Sequence, residues 1–284
     1  MKLGYIDYLN CYPFYHHMLE KAPLEGVTVF PGYPSTLNKM LAEGDLDMSP
    51  ISAATCADIA DRILLLPQFC LSSVGYVGSV ILVSRRPIET LNRRTVGLTT
   101  ASHTSVVLVK ILLEKYYRVH PNYIETAPLS SPDETDAVLL IGNEAMIYRA
   151  SPDLHVYDLG EIWLQKTGFP VVFAVFGVRK AILQKFDLEI QSVLRSYHAS
   201  LQCLKKERKS VISHAATKYP DIHYDIDRYY SLLKFEFSDE LKNALMFYLS
   251  TAGEMGFLKK VSRIDYFTPE QHILPLEKGG QGGF

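Results

Sequence analysis

The residues of this chain best suited to handling a small ligand are neutral. Asn10, Ser52, Ser79, Ser102, Thr104, Ser105 and Asn143 each stand where an apolar, strand-like run gives way to a helical pattern or a polar turn, and Gly142 adjoins the last of them. Backbone N–H groups at a helix start lack intrahelical acceptors and carry partial positive charge, so such junctions suit carboxylates and phosphates. Taken singly, each of these residues reads as a helix cap. Taken together, they describe a cleft that grips a small polyanion through hydroxyls, amides and N–H groups. Other chemistries lack their signatures: there is no G-x-x-x-x-G-K, G-x-G-x-x-G, H-E-x-x-H or G-x-S-x-G. Cys11, Cys56, Cys70 and Cys203 are far apart and read as free, buried thiols. His16-His17 reads as a solvated pair on a helix without further ligands nearby, so no metal or cofactor is expected.

The elements that must position these residues alternate. Leu3 to Leu9 reads as a strand, Asn10 as an N-cap, and Pro13 as an early residue of a helix reaching about Lys21. Residues 26–30 form a second strand. Ser35 then caps a helix with Leu37, Met40 and Leu41 on one face and Gly44 at its end. Residues 47–51 form a third strand, followed by Ser52 and a small helix over 53–60. This alternation predicts a parallel sheet flanked by helices, with ligands at the carboxyl ends of the strands, where Asn10 and Ser52 sit.

The pattern then repeats, with a strand at 95–99, a hydroxyl-rich turn Ala101–Ser105 and a helix to about Tyr116 that Ser102 or Thr104 could cap. A buried strand over 136–141 ends in Gly142-Asn143-Glu144. Two long apolar runs, 79–84 and 171–178, bracket this unit and read as paired crossings between two lobes. The expected division is 1–84 plus 178–284 for the first lobe and 85–177 for the second, with 276–284 as a glycine-rich flexible tail. After Lys180 the pattern reads as helical throughout, and its apolar stripes read as core packing.

Composition bounds the function. The 284 residues are 48% hydrophobic and 21% charged with a formal charge of −2, which gives no reason to expect nucleic acid or an anionic membrane as partner. No apolar run approaches the ~20 residues of a membrane span, and no secretory pattern opens the chain. The expectation is a cytoplasmic globular protein, monomeric or homodimeric.

The ordered motifs resemble a known family. Tyr8-Leu9-Asn10-Cys11-Tyr12-Pro13 is similar to the Y-L-N-x-x-P signature of chorismate dehydratases of the futalosine route to menaquinone. Pro34–Asn38, Gly44–Asp47 with Ile51-Ser52, Gly78–Val80, Thr99–Ser105, Leu140–Glu144, and Trp163 with Thr167–Pro170 follow in register over about residues 2–180, and the resemblance fades in the helical last third. It implies an α/β fold like the type 2 periplasmic solute-binding proteins, with a ligand cleft between two lobes. It also implies a hydro-lyase that converts chorismate to 3-[(1-carboxyvinyl)oxy]benzoate without a cofactor. On that footing Asn10 would act catalytically, stabilising charge that develops on loss of the C3 proton or the leaving hydroxyl. Ser79 would hold one carboxylate and the Ser102–Ser105 turn the other, with Ser52, Gly142 and Asn143 completing the pocket. The base is left open between the substrate's own enolpyruvyl carboxylate, Asp7 and a group the sequence does not reveal. Asp7 and Tyr12 stand where the family has Ser and Leu, and Gly78 replaces a larger residue. The rival readings are 1,4-dihydroxy-6-naphthoate synthase of the same pathway and a non-catalytic small-anion-binding protein.

Overall fold

Leu3, Gly4, Tyr5 and Ile6 are all buried, which suits a strand covered on both faces. In the computed structural model, which describes residues 1–128, 130 and 135–268, they lie in β1 (Lys2–Ile6). This strand pairs in parallel with β2 (Thr28–Gly32) and β3 (Met48–Ser52). Three antiparallel strands extend the sheet: β10 (Val171–Arg179) beside β3, then β4 (Ile63–Ser73), then β11 (Leu233–Glu236) at the edge. The second sheet has the order β7-β6-β8-β5-β9, from β5 (Val80–Ser84), β6 (Thr95–Thr99), β7 (Asn122–Thr126), β8 (Ala137–Ile141) and β9 (His155–Asp158). Two mixed sheets with flanking helices make the two-lobed α/β fold that the motifs implied.

Helices follow the strands closely. After β1 comes α1 (Tyr12–His16), continued by a π-turn over His17–Lys21, and after β2 comes α2 (Pro34–Glu43), ended by Gly44 as expected. A 3₁₀ turn, Ala53–Thr55, and α3 (Cys56–Ile59) follow β3. The second lobe carries α4 (His103–Ile111), α5 (Gly142–Ile147) and α6 (Leu159–Thr167). The last third supplies α7 (Asp187–Lys206), α8 (Arg208–Lys218), α9 (Ile226–Leu232) and α10 (Asp239–Glu254). The first lobe's core includes an aromatic knot in which Phe14 meets Phe176 at 4.5 Å and Tyr197 at 5.8 Å between ring centroids.

Several expectations need correction. The run 79–84 does not cross between lobes: β5 lies wholly in the five-stranded sheet, and β10 wholly in the six-stranded one. The linking segments are instead the short stretches between β4 and β5 and between α6 and β10, so strand membership departs from the 84/85 and 177/178 divisions. The last third is not all helical, because β11 forms there, and β7 was not foreseen either. Both are sheet-edge strands with alternating or mostly exposed side chains and little apolar signal. Asn10 does not cap α1, whose N-cap is Cys11 with no side-chain cap, and α2 starts at Pro34 after Tyr33 instead of being capped by Ser35. His16 is buried, not solvated, and His17 is tied by its backbone N–H to Ser200 and by its ring to Ser196. The segment 276–284 lies outside the described residues.

Candidate functional site

Between the two sheets lies a cavity holding about 500 Å³ of empty space, its mouth included. The first lobe contributes Ile6, Tyr8, Asn10, Cys11, Pro34 and Ser52 from the carboxyl ends of β1 and β3 and the turns after β1 and β2. The second contributes Ser79, Ser102, Ser105, Ile141 and Gly142, and the β4/β10 pair adds Leu71, Phe173 and Ala174. Six of the eight residues expected from the sequence therefore meet here: Asn10, Ser52, Ser79, Ser102, Ser105 and Gly142. None of the described lining residues carries a charged side chain.

Each polar group is oriented by its neighbours. Ser102 is the N-cap of α4, accepting from the Ser105 N–H at 3.3 Å and donating to the Ser105 hydroxyl at 3.2 Å. That helix start brings a macrodipole's positive end, with a side-chain cap, to the cavity wall. Ser52 is fixed through its N–H, which donates to Asn38 Oδ1 at 3.0 Å. Ser79 receives a hydrogen bond from the hydroxyl of Tyr229 at 2.8 Å, and its carbonyl accepts from Gly142 N–H at 2.7 Å. Asn10 Oδ1 is buried without a partner. Gly142 has φ +55°, and a Cβ there would fall 2.7 Å from the ring of Tyr8, so glycine is needed for both backbone and space.

Two expected residues serve elsewhere. Thr104 Oγ1 donates to the Phe173 carbonyl at 3.0 Å and accepts from Ala54 N–H at 3.1 Å, pinning α4 to the first lobe. Asn143 Oδ1 accepts from Leu9 N–H at 2.9 Å, and with the Tyr8–Glu144 contact at 3.4 Å it ties α5 to the turn after β1. The two lobes thus touch across the cleft. Asp7 is not among the cavity-lining residues: its carboxylate accepts from the Tyr219 hydroxyl at 2.7 Å and pairs with Lys218 at 3.2 Å. Tyr12 is buried in the core, its hydroxyl donates outward to the exposed Glu20 at 2.9 Å, and it is not among the cavity-lining residues. Gly78, at φ +73°, turns so that its N–H reaches Asp158 at 2.6 Å, which accounts for the absence of a larger residue.

The titratable groups that line the cavity are Tyr8 and Cys11. Burial pushes both up, far outside the neutral range, and the Glu144 carboxylate raises Tyr8 further. Asp158, behind the linking segment, is also raised by burial, although N–H groups of Glu161, Gly78 and Val77 pull the other way.

Residues 1–254 match the family model described as menaquinone biosynthesis. The chain belongs to that family. Within it, the chain is 34% identical over 195 residues to a chorismate dehydratase of Thermus thermophilus, covering 63% of this chain and 69% of the relative. It is 27% identical over 153 residues to the 1,4-dihydroxy-6-naphthoate synthase of the same organism, covering 54% and 53%. Among solved structures, protein AF1704 from Archaeoglobus fulgidus superposes with a TM-score of 0.73 at 18% identity, covering 90% of this chain and 98% of that one. The aliphatic sulphonate-binding protein SsuA of Escherichia coli gives 0.64 at 14%, covering 94% and 93%. At these identities the likeness is one of fold, the periplasmic-binding-protein fold. Among the described residues no helix is long and apolar enough to cross a membrane.

Some cavity residues of this menaquinone-biosynthesis protein were not singled out from sequence. Tyr8, Cys11 and Phe173 lay inside quoted motifs or apolar runs but had no signal separating wall from core. Tyr229 supports the site from α9, 150 residues beyond Ser79. No local spacing marks it.

Proposed function

We propose that this protein is a chorismate dehydratase of the cytoplasm, acting as a monomer or homodimer. The observation that carries the reading is the cavity itself, which gathers Asn10, Ser79, Ser102 and Ser105 within apolar walls and places no charged side chain on them. Higher identity and longer coverage with the dehydratase than with the naphthoate synthase support this reading, as does the Tyr8–Pro13 motif.

Chorismate carries two carboxylates, a ring C3–H and a C4 hydroxyl. Removing that proton and that hydroxyl as water makes the ring aromatic, so the driving force resides in the substrate. The protein needs to supply orientation, a proton acceptor and help for the leaving group. The start of α4, with Ser102 and Ser105, takes one carboxylate through backbone N–H groups and hydroxyls, and Ser79 takes the other. Asn10 meets the C4 hydroxyl. With Asp7 engaged by Tyr219 and Lys218, and Tyr8 and Cys11 held protonated by burial, the acceptor of the C3 proton is the substrate's enolpyruvyl carboxylate. Desolvation in a cavity whose described lining residues carry no cationic side chain raises the basicity of that carboxylate, and this offsets the hydrogen bond that holds it. Lobe contact across the cleft excludes competing water.

Incubation with chorismate, followed by mass analysis, tests the reading. A product lighter by one water, identified as 3-[(1-carboxyvinyl)oxy]benzoate, is expected. Unchanged chorismate would remove it, and calorimetric binding without turnover would point instead to an anion-binding protein.

A further inference from the structure

Tyr229 stands behind the cavity, fully buried on α9, and is not one of its lining residues. Its hydroxyl touches two residues that do line it. The O–H donates to Ser79 Oγ at 2.8 Å, and a side-chain hydrogen bond with Asn10 lowers the phenol's pKa against the burial that raises it, which makes the Asn10 amide N–H the donor. A phenol has a single proton, so the direction of each link is fixed. Ser79 Oγ, already accepting from the Tyr229 O–H, keeps its own O–H to give into the cavity. Asn10, with its amide N–H turned to Tyr229, is left with Oδ1 to accept from a ligand, and this buried oxygen has no partner among the described residues. An unpaired buried acceptor is costly unless a ligand donates to it.

We propose that Tyr229 is a positioning residue that sets the polarity of the Asn10–Ser79 side of the site, making Ser79 a donor to a substrate carboxylate and Asn10 Oδ1 an acceptor from a substrate hydroxyl. This rests on the dehydratase reading and deepens it. Chorismate has a hydroxyl at C4 to give to Asn10, and the dehydrated product has none, so the same polarity favours substrate over product. Without the phenol proton, Ser79 could turn its own proton to Asn10 and the two groups would satisfy each other, leaving the substrate poorly read.

The test is a double-mutant cycle on the full-length protein with Tyr229→Phe, Ser79→Ala and the pair, following KM and kcat for chorismate and the affinities for chorismate and product. Tyr229→Phe keeps the ring and its packing. The expected result is a fall in kcat/KM of about tenfold in each single variant, and a double variant better by at least about fivefold than the product of the two losses. Preference for chorismate over product should shrink with Tyr229→Phe. Losses that simply multiply, or an unchanged preference, would overturn the inference, since a packing role alone gives independent effects. Should Tyr229→Phe fail to fold, Ser79→Thr, which retains the acceptor, is compared with Ser79→Val, which lacks it. Thr close to native and Val down about tenfold supports the relay, and equal activities overturn it. Failure of the dehydratase reading is visible separately, as native protein that binds chorismate without releasing water. The cycle is then read on calorimetric affinities for chorismate and benzoate, and native protein that binds neither overturns the relay as well.

Discussion

The turn after β1 and the turn after β6 look alike in sequence, each an apolar strand running through small polar residues into a helix, yet they present opposite faces to the cavity. At the second, Ser102 takes an extended backbone conformation, caps α4 with its hydroxyl and brings the N-terminal end of a nine-residue helix to the cavity wall. At the first, the helix is five residues long, Cys11 is already in helical conformation, and no side chain caps it. What the first turn offers is side-chain chemistry: Asn10 with a free Oδ1, and Ser79 drawn beside it through Tyr229. Under the proposed reading, backbone N–H groups of one turn hold charge, and Asn10 and Ser79, one from each lobe, read hydroxyl and carboxylate with oriented side chains. Such a division suits a reaction in which a carboxylate must be held still while a hydroxyl leaves.

The largest expected effect lies at the side-chain half. Asn10→Ala removes a buried acceptor that has no partner among the described residues, and kcat for chorismate should fall by about 100-fold, the scale of a reacting group misplaced by about an ångström. Far-UV circular dichroism should stay native, because Asn10 caps nothing. Full turnover by Asn10→Ala would erase the contrast between the two turns.

Gly142→Ala comes next, since it disturbs the meeting of both halves. Its positive φ costs a β-carbon roughly 1–2 kcal/mol, and the new carbon would press on the Tyr8 ring. The expected outcome is a thermal midpoint lower by about 2–8 °C and kcat/KM lower by about tenfold. A variant with native melting and activity would mean that the Tyr8–Gly142 contact does not shape the cavity.

The two turns also differ in what their sequence disclosed. Strand-to-helix alternation and the positions of Asn10, Ser52, Ser79, Ser102, Ser105 and Gly142 were readable, because periodicity and polar junction residues are local signals. Whether Asn10 or Cys11 is the N-cap depends on backbone angles that the turn hydrogen bond from Cys11 N–H to Tyr8 O helps set, and residue type alone does not report them. Thr104 and Asn143 look like ligand contacts in sequence, but their partners Phe173, Ala54 and Leu9 come from the opposite lobe or its long strand, so only the folded chain shows them occupied. Tyr229 was hidden for the same reason: an apolar, aromatic helix reads as core, and its single functional hydroxyl has no periodic signature. β7 and β11 escaped because a mostly exposed five-residue edge strand and a four-residue alternating one carry too little apolar pattern to stand out.

A smaller effect probes the backbone half. Ser102→Ala removes the cap and should cost about 1 kcal/mol of stability, whereas Ser102→Gly should cost only a few tenths. Both lose the hydroxyl at the carboxylate, so both should raise KM several-fold with kcat little changed, because the contact holds substrate and transition state alike. Melting curves separate the capping loss from the binding loss. If Gly restores KM as well as stability, the hydroxyl has no part in binding and the helix N–H groups act alone.

The smallest effect concerns charge at that same helix start. His103, the first residue of α4, faces Thr55 Oγ1 at 3.4 Å and Asp58 at 3.7 Å. Burial lowers its pKa below the ordinary 6.5, and Lys110 adds to this while Asp58 opposes it. The folded state therefore prefers the neutral ring. Between the lowered value and about 6.5 the unfolded chain binds more protons, so stability should rise with pH through that window and fall as the solution is acidified. A third of the side chain is exposed, at 35%, so solvent will mute the change. Urea titrations at a series of pH values should show native protein losing stability below about pH 6.5 relative to His103→Gln. Parallel curves would mean that a charged ring is tolerated beside the carboxylate-binding turn. The backbone half of the site would then owe its neutrality to the residues it lacks and nothing to the environment of those it has.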